Sequence, residues 1–186
     1  MAGLPSLRRQ RAVSLIEAAF AKERQNKGFR LVHYSVRPNH LHLVCEAEHR
    51  QALSRGIQRL ASRIARAINR LWRRRGKLFG DRFYGRVVRT PRQARRLLAY
   101  VLNTHKDMAR RGQVLRCIDP WSSGRWFDGW ADAGARSPPV GPAAQATPLV
   151  ADAGSWLLTT GWRRHGLIRT DERAPREAEP DALSAQ

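Results

Sequence analysis

The strongest constraint on the fold is a pair of short apolar runs, Phe29–Arg37 and His40–Cys45, separated by Pro38-Asn39. Each run has the length and the branched residues of a strand, and the Pro-Asn step turns the chain, so the two are expected to pair as a hairpin. Side chains alternate along a strand, which sends His40 and His42 to one face and Leu41, Leu43 and Cys45 to the other. A lone strand histidine is ordinarily a hydrogen-bonded packing residue. Two on one face, roughly 6.5–7 Å apart along the backbone, both need partners. Two neutral imidazoles converging from one strand make half a site for a divalent cation. The pair alone names no reaction.

Helical patterns flank this hairpin. Leu7 to about Lys27 places Leu15, Ile16, Ala19 and Phe20 on one side, with Gly28 as its stop. Arg50 to Arg75 repeats Leu53, Ile57, Leu60, Ala61, Ile64, Ile68 and Leu71 at helical spacing, and Gly76 closes it. Asp81–Arg89 reads as a further strand around Phe83, Gly85, Val87 and Val88. Thr90-Pro91-Arg92-Gln93 then has the form of a capping box with proline in the first turn, opening a helix to about Arg110 that buries Ala94, Leu97, Leu98, Val101 and Met108. After Cys117 the character changes. Pro120–Trp130 is turn-rich and aromatic, Ser137–Pro148 reads as a linker, Ser155–Arg164 as a short helix, and Thr170–Gln186 as a polar, disordered tail. The division expected is one domain over residues 1–117 and an irregular segment over 118–186.

Charge narrows the partners. Lys and Arg number 35 against 15 Asp and Glu, a net +20, which points to a polyanion, nucleic acid before an anionic membrane. Arg55, Arg59, Arg63, Arg66, Arg70 and Arg73 recur every three or four residues opposite the apolar stripe, and no acid lies between Glu48 and Asp81. Solvated helices ordinarily interleave such arginines with glutamates. The stripe, with Arg82, is therefore expected to bind phosphates, and Trp72, Phe79, Phe83 and Tyr84 are candidates to stack on unpaired bases, although Phe79 and Phe83 fit core packing better. No apolar run has the length of a membrane span, and the N-terminus lacks a signal-peptide core. Cys45 and Cys117 form no metal-ligand cluster, and a reduced, cytoplasmic, nucleoid-associated setting is expected.

Tyr34–Val44, the basic helix, Gly76–Tyr84 and Ala99–Asn103 together resemble the single-tyrosine HUH transposases, most nearly the REP-associated tyrosine transposases, over roughly residues 10–112. The resemblance implies a ferredoxin-like α/β (α+β) domain with an antiparallel sheet that cuts single-stranded or hairpin DNA as a monomer or homodimer. It implies that His40 and His42 hold Mg2+ or Mn2+, and that Tyr100 attacks the phosphate to leave a 5′-phosphotyrosine and a free 3′-OH. Tyr100 is expected across a polar cleft from the histidines; Tyr34 and Tyr84 fall on strands. The family places Asn or Gln four residues after the tyrosine as another metal ligand. Thr104 stands there, with Asn103 one residue early and rotated by about 100°. The family's first strand has no counterpart in Met1–Ser6, which predicts either an upstream start or a decayed copy.

A phenol with a pKa near 10 is a weak nucleophile at neutral pH, and a cation beside the phosphate offsets developing charge and orients it for in-line attack. The expected activity is thus DNA nicking and joining. A catalytically impaired or domesticated DNA-binding relative is the alternative, and a metal-dependent phosphohydrolase without the tyrosine is a weaker third.

Overall fold

The computed structural model describes residues 4–24, 26, 28–80, 83–103, 117–132, 148–172 and 183–184. Helix α1 (Gln10–Glu23) is followed by strands β1 (Phe29–Val36) and β2 (His40–Ala47), then helices α2 (Arg50–Leu71) and α3 (Pro91–Asn103). The two strands pair antiparallel in the expected hairpin, Phe29 opposite Ala47 and Val36 opposite Leu41. This is an α+β domain with an open antiparallel sheet. Among the described residues only Leu183–Ser184 (β3) adds to it, opposite Leu41 and His40.

Register slips by one residue between Leu31 and His33, leaving Val32 as a bulge. The sequence requires this. Phe29 and Leu31 are apolar at odd positions, Tyr34 and Val36 at even ones, and without an extra residue half of them would face the wrong side. With the bulge, Leu31, Tyr34, Val36 and Leu41 join one core with Val13, Ile16 and Phe20 of α1 and Leu60, Ile64 and Ile68 of α2. Phe29 packs on Ile57, with Leu43 and Cys45 beside them. Gly56 permits that approach: a Cβ there would stand 2.3 Å from the Phe29 ring.

Helices α1 and α2 therefore cover the Leu41 face of the sheet. Helix α3 covers the other, where Val44, Tyr100 and Val101 pack together. Its start matches the capping box: the Thr90 hydroxyl accepts from Gln93 N–H (3.2 Å), while the Gln93 amide oxygen reaches Arg89 N–H (2.9 Å). The far face of α3 carries Ala94, Leu98 and Leu102, buried under Phe127, Trp162 and Ile168. Trp162 lies in a 3-10 turn, Gly161–His165, just after α4 (Trp156–Thr159).

Several expectations need correcting. Helix α1 starts at Gln10, because Leu7 is tucked against the hairpin turn with its N–H on the Pro38 carbonyl (2.7 Å). Helix α2 stops at Leu71, and Arg73 takes a left-handed φ of 51° ahead of Gly76. Arg74 N–H closes this turn on the Asn69 carbonyl (2.9 Å), a Schellman arrangement with arginine where glycine is usual. Residues 83–89 form no strand; Asp81 and Arg82 lie outside the described residues. The pattern there lacks a buried face, with Tyr84 and Val87 69% and 67% exposed. The outer edge of β1 is also taken, since Val36 N–H donates to the Trp121 carbonyl and Ala151 N–H to the Leu31 carbonyl. Thr170 is not loose tail: it is buried and donates to Asp132 through both its N–H and its hydroxyl. The linker to residue 147 and the continuation of α3 past Asn103, Met108 and Arg110 included, lie outside the described residues.

Candidate active site

Strand β2 delivers His40 and His42 to the α3 side of the sheet. Their Nε2 atoms meet at 3.1 Å. His40 is half-buried and its Nδ1 donates to the Asn39 side-chain oxygen (2.8 Å), which leaves Nε2 as the lone-pair nitrogen. His42 is buried, and its Nδ1 has no hydrogen-bond partner among the described residues. Burial, then the neighbouring Arg37 guanidinium, pushes His40 down to about 4; burial, then His40, then Arg37, pushes His42 down to about 3. Both imidazoles are therefore neutral near pH 7, the form that binds a cation.

The pair fits a divalent ion in one respect that can be measured. Two nitrogen ligands each about 2.1 Å from one ion and at right angles stand roughly 3 Å apart, close to the 3.1 Å between these nitrogens. Among the described residues no group of three or more His, Cys, Asp or Glu could hold a metal. A cation here would need waters and substrate oxygens to complete its shell, as Mg2+ commonly does.

Tyr100 comes from α3 of the same chain. Its ring meets His42 edge-on, centroids 5.1 Å apart and planes at 78°. The sequence suggests a polar cleft between them; instead the rings touch, and Val44, Val101, Leu97 and Leu158 wall the tyrosine in. The rivals fall away by position. Tyr34 is fully buried on the other face, its hydroxyl donating to Glu17 (2.8 Å), and Tyr84 lies on an exposed segment outside the sheet. Asn103, in the last turn of α3, is buried with its amide nitrogen on the Arg169 carbonyl (3.0 Å). Thr104 lies outside the described residues.

The arginine stripe divides. Glu23, its side chain 1% exposed, accepts from Arg59 (2.7 Å) and Arg63 (3.1 Å), so these two clamp α2 to α1. Arg55, Arg66, Arg70 and Arg73 remain exposed, and Arg82 lies outside the described residues. Trp72 and Phe79 pack against the main core, and Phe83 against Phe29 and Ile57. Among the aromatic candidates Tyr84 is left open to solvent.

Sequence reasoning missed four contributors. Asn39 reads only as a turn residue, and its hold on His40 follows from the hairpin's closure. Arg37, Ser35 opposite His42, and Arg169 are brought in by register and tertiary packing. The arginine preceding Pro38 was the one visible signal.

Comparison with protein families gives a match. A family model described as "Transposase IS200 like" covers residues 7–104, more than half of the chain. The chain belongs to this transposase family. The match spans the hairpin, both histidines and Tyr100, and membership places the protein among DNA transposition and recombination enzymes. The residues that bury the outer face of α3, Phe127, Trp162 and Ile168, lie beyond the matched range. Searches of curated proteins and of solved structures give no significant match. Among the described residues no helix is long and apolar enough to cross a membrane.

Proposed function

We propose that this transposase cuts and rejoins single-stranded DNA through a phosphotyrosine on Tyr100, beside a divalent cation, Mg2+ or Mn2+, held by His40 and His42. The observation that carries the reading is the contact of Tyr100 with His42 at 5.1 Å, in one chain, while His42 and His40 converge nitrogen to nitrogen at 3.1 Å. When bound, the cation offsets charge developing on the phosphate and orients it for in-line attack.

The chain's own residues do the rest. Asn39 fixes the His40 ring, and burial, reinforced by the Arg37 guanidinium, keeps both imidazoles neutral. The walls of Val44, Val101 and Leu158 hold the tyrosine ring against His42 and exclude water from that side. The Tyr100 oxygen attacks phosphorus, the bond from phosphorus to the 3′ oxygen breaks, and the phenolic proton leaves as the 3′-OH forms. The phosphotyrosine retains the energy of the broken bond, so a second 3′-OH reverses the step without a nucleotide cofactor.

The test is a labelled, hairpin-bearing single strand incubated with the protein and Mn2+. A covalent protein–DNA adduct is expected, absent in Tyr100→Phe and reduced by at least tenfold in His42→Ala. An adduct that persists in Tyr100→Phe overturns the assignment. One observation favours a binding-only relative: threonine occupies the position of the family's further ligand. That reading predicts tight DNA binding with no adduct at any Mn2+ concentration.

A further inference from the structure

The arginines most prominent in the sequence are in the wrong layer to serve Tyr100. Helix α2 packs on the Leu41 face of the sheet, and its exposed arginines point away from it; His42 and Tyr100 lie on the opposite face. A strand seated on α2 would have to pass round the sheet before its phosphate met the tyrosine. Helix α3 has its own basic residues, and the structure sorts them. Arg95 is consumed: its guanidinium donates to both Glu172 carboxylate oxygens (2.6 and 2.9 Å) and to the carbonyls of Gly166 and Leu167 (both 2.9 Å). Arg92 and Arg96 are exposed and form no ion pair among the described residues.

Arg92, Arg96 and Tyr100 are spaced four residues apart, which aligns them as one ridge with steps of about 6 Å along the helix axis. Helix side chains lean toward the N-terminus, so the Tyr100 ring lies over the turn that carries Arg96. Upstream, residues 83–89 run over the surface outside any strand, from Phe83 packed on the α2 side to the exposed Arg89 that leads into α3. No acid occurs from Phe83 to Asn103. Exposed guanidinium forks in a line, with no acid beside them in the sequence, are matched by phosphodiesters.

We propose that Arg89, Arg92 and Arg96 form a phosphate track on the site's own face of the sheet that guides single-stranded DNA to Tyr100. This rests on the reading of Tyr100 as the nucleophile. The track itself is tested by binding alone. Fluorescence anisotropy with a labelled oligothymidine in EDTA, over a series of salt concentrations, measures affinity and the slope of log K against log salt. Arg92→Ala/Arg96→Ala is expected to lower affinity about tenfold and flatten the slope by about 1.4, two single-strand contacts at roughly 0.7 each. Arg92→Lys/Arg96→Lys is expected to keep the slope, and Arg95→Ala to leave it unchanged, because Arg95 is already neutralised. A slope equal to wild type in Arg92→Ala/Arg96→Ala overturns the track, as does an equal loss in Arg95→Ala, which would indicate net charge alone. Thermal melting of each variant checks that it is folded, and Arg92→Gln/Arg96→Gln, for which the same flattening is expected and an unchanged slope overturns the track, decides the matter if the alanine pair is not. Absence of the Tyr100 adduct with the slope change present would instead refute the nucleophile and leave the track standing.

Discussion

Replacing Arg59 and Arg63 by alanine should make the protein unfold more readily. Glu23 has only 1% of its side chain exposed, and both guanidinium groups bind it, Arg59 at 2.7 Å and Arg63 at 3.1 Å. Stranding a fully buried carboxylate costs about 3–5 kcal/mol. The arginine side chains are 41% and 34% exposed, so water shares the interaction and the expected loss is about 2 kcal/mol. With a urea slope of about 2 kcal/mol per molar, the unfolding midpoint falls by about 1 M. Arg55→Ala/Arg66→Ala removes two exposed arginines of the same stripe and should change stability by less than about 0.5 kcal/mol. Adding Glu23→Gln to the Arg59/Arg63 variant removes the stranded charge and should recover at least half the loss. Equal midpoints for the two double variants, or no recovery with glutamine, would refute the clamp.

Gly56→Ala should destabilise the fold, although alanine favours a helix interior by about 1 kcal/mol; the new methyl meets the buried Phe29 ring at 2.3 Å, and overpacking costs about 1–3 kcal/mol, so a raised melting temperature would contradict the packing. His33 is half-buried against Ser123 and Phe127, and the loss of water around its ring lowers its pKa to about 4. Its folded pKa lies below the unfolded value of about 6.5, so this contribution is present above pH 6.5 and lost as pH falls toward 4; His33→Asn should flatten that limb of the stability profile. Trp162→Ala should cost about 3–5 kcal/mol and loosen α3, read as faster amide exchange at Leu98 and Leu102, because Trp162 seals that helix's outer face.

Local chemistry was legible in the sequence. Alternation set His40 and His42 on one face and Leu41 and Leu43 on the other; the apolar stripe defined α2; Thr90 and Gln93 announced α3. These signals depend on neighbours within one turn or one strand, and such neighbours are present in the sequence itself. Even the β1 bulge can be read from the shift of apolar residues from odd to even positions.

Other features required contacts between residues far apart in the chain. The stripe looked like one surface, yet Arg59 and Arg63 lie 36 and 40 positions from the glutamate that binds them. Residues 83–89 have strand composition but join no strand, and the outer edge of β1 is held instead by residues 121 and 151. Periodicity gives each helix an apolar face without saying which face of the sheet it covers. Only packing put α2 on one side and α3 on the other, and so brought Tyr100 to His42, left the arginines of α2 in the far layer, and set Arg92 and Arg96 along the ridge to the tyrosine.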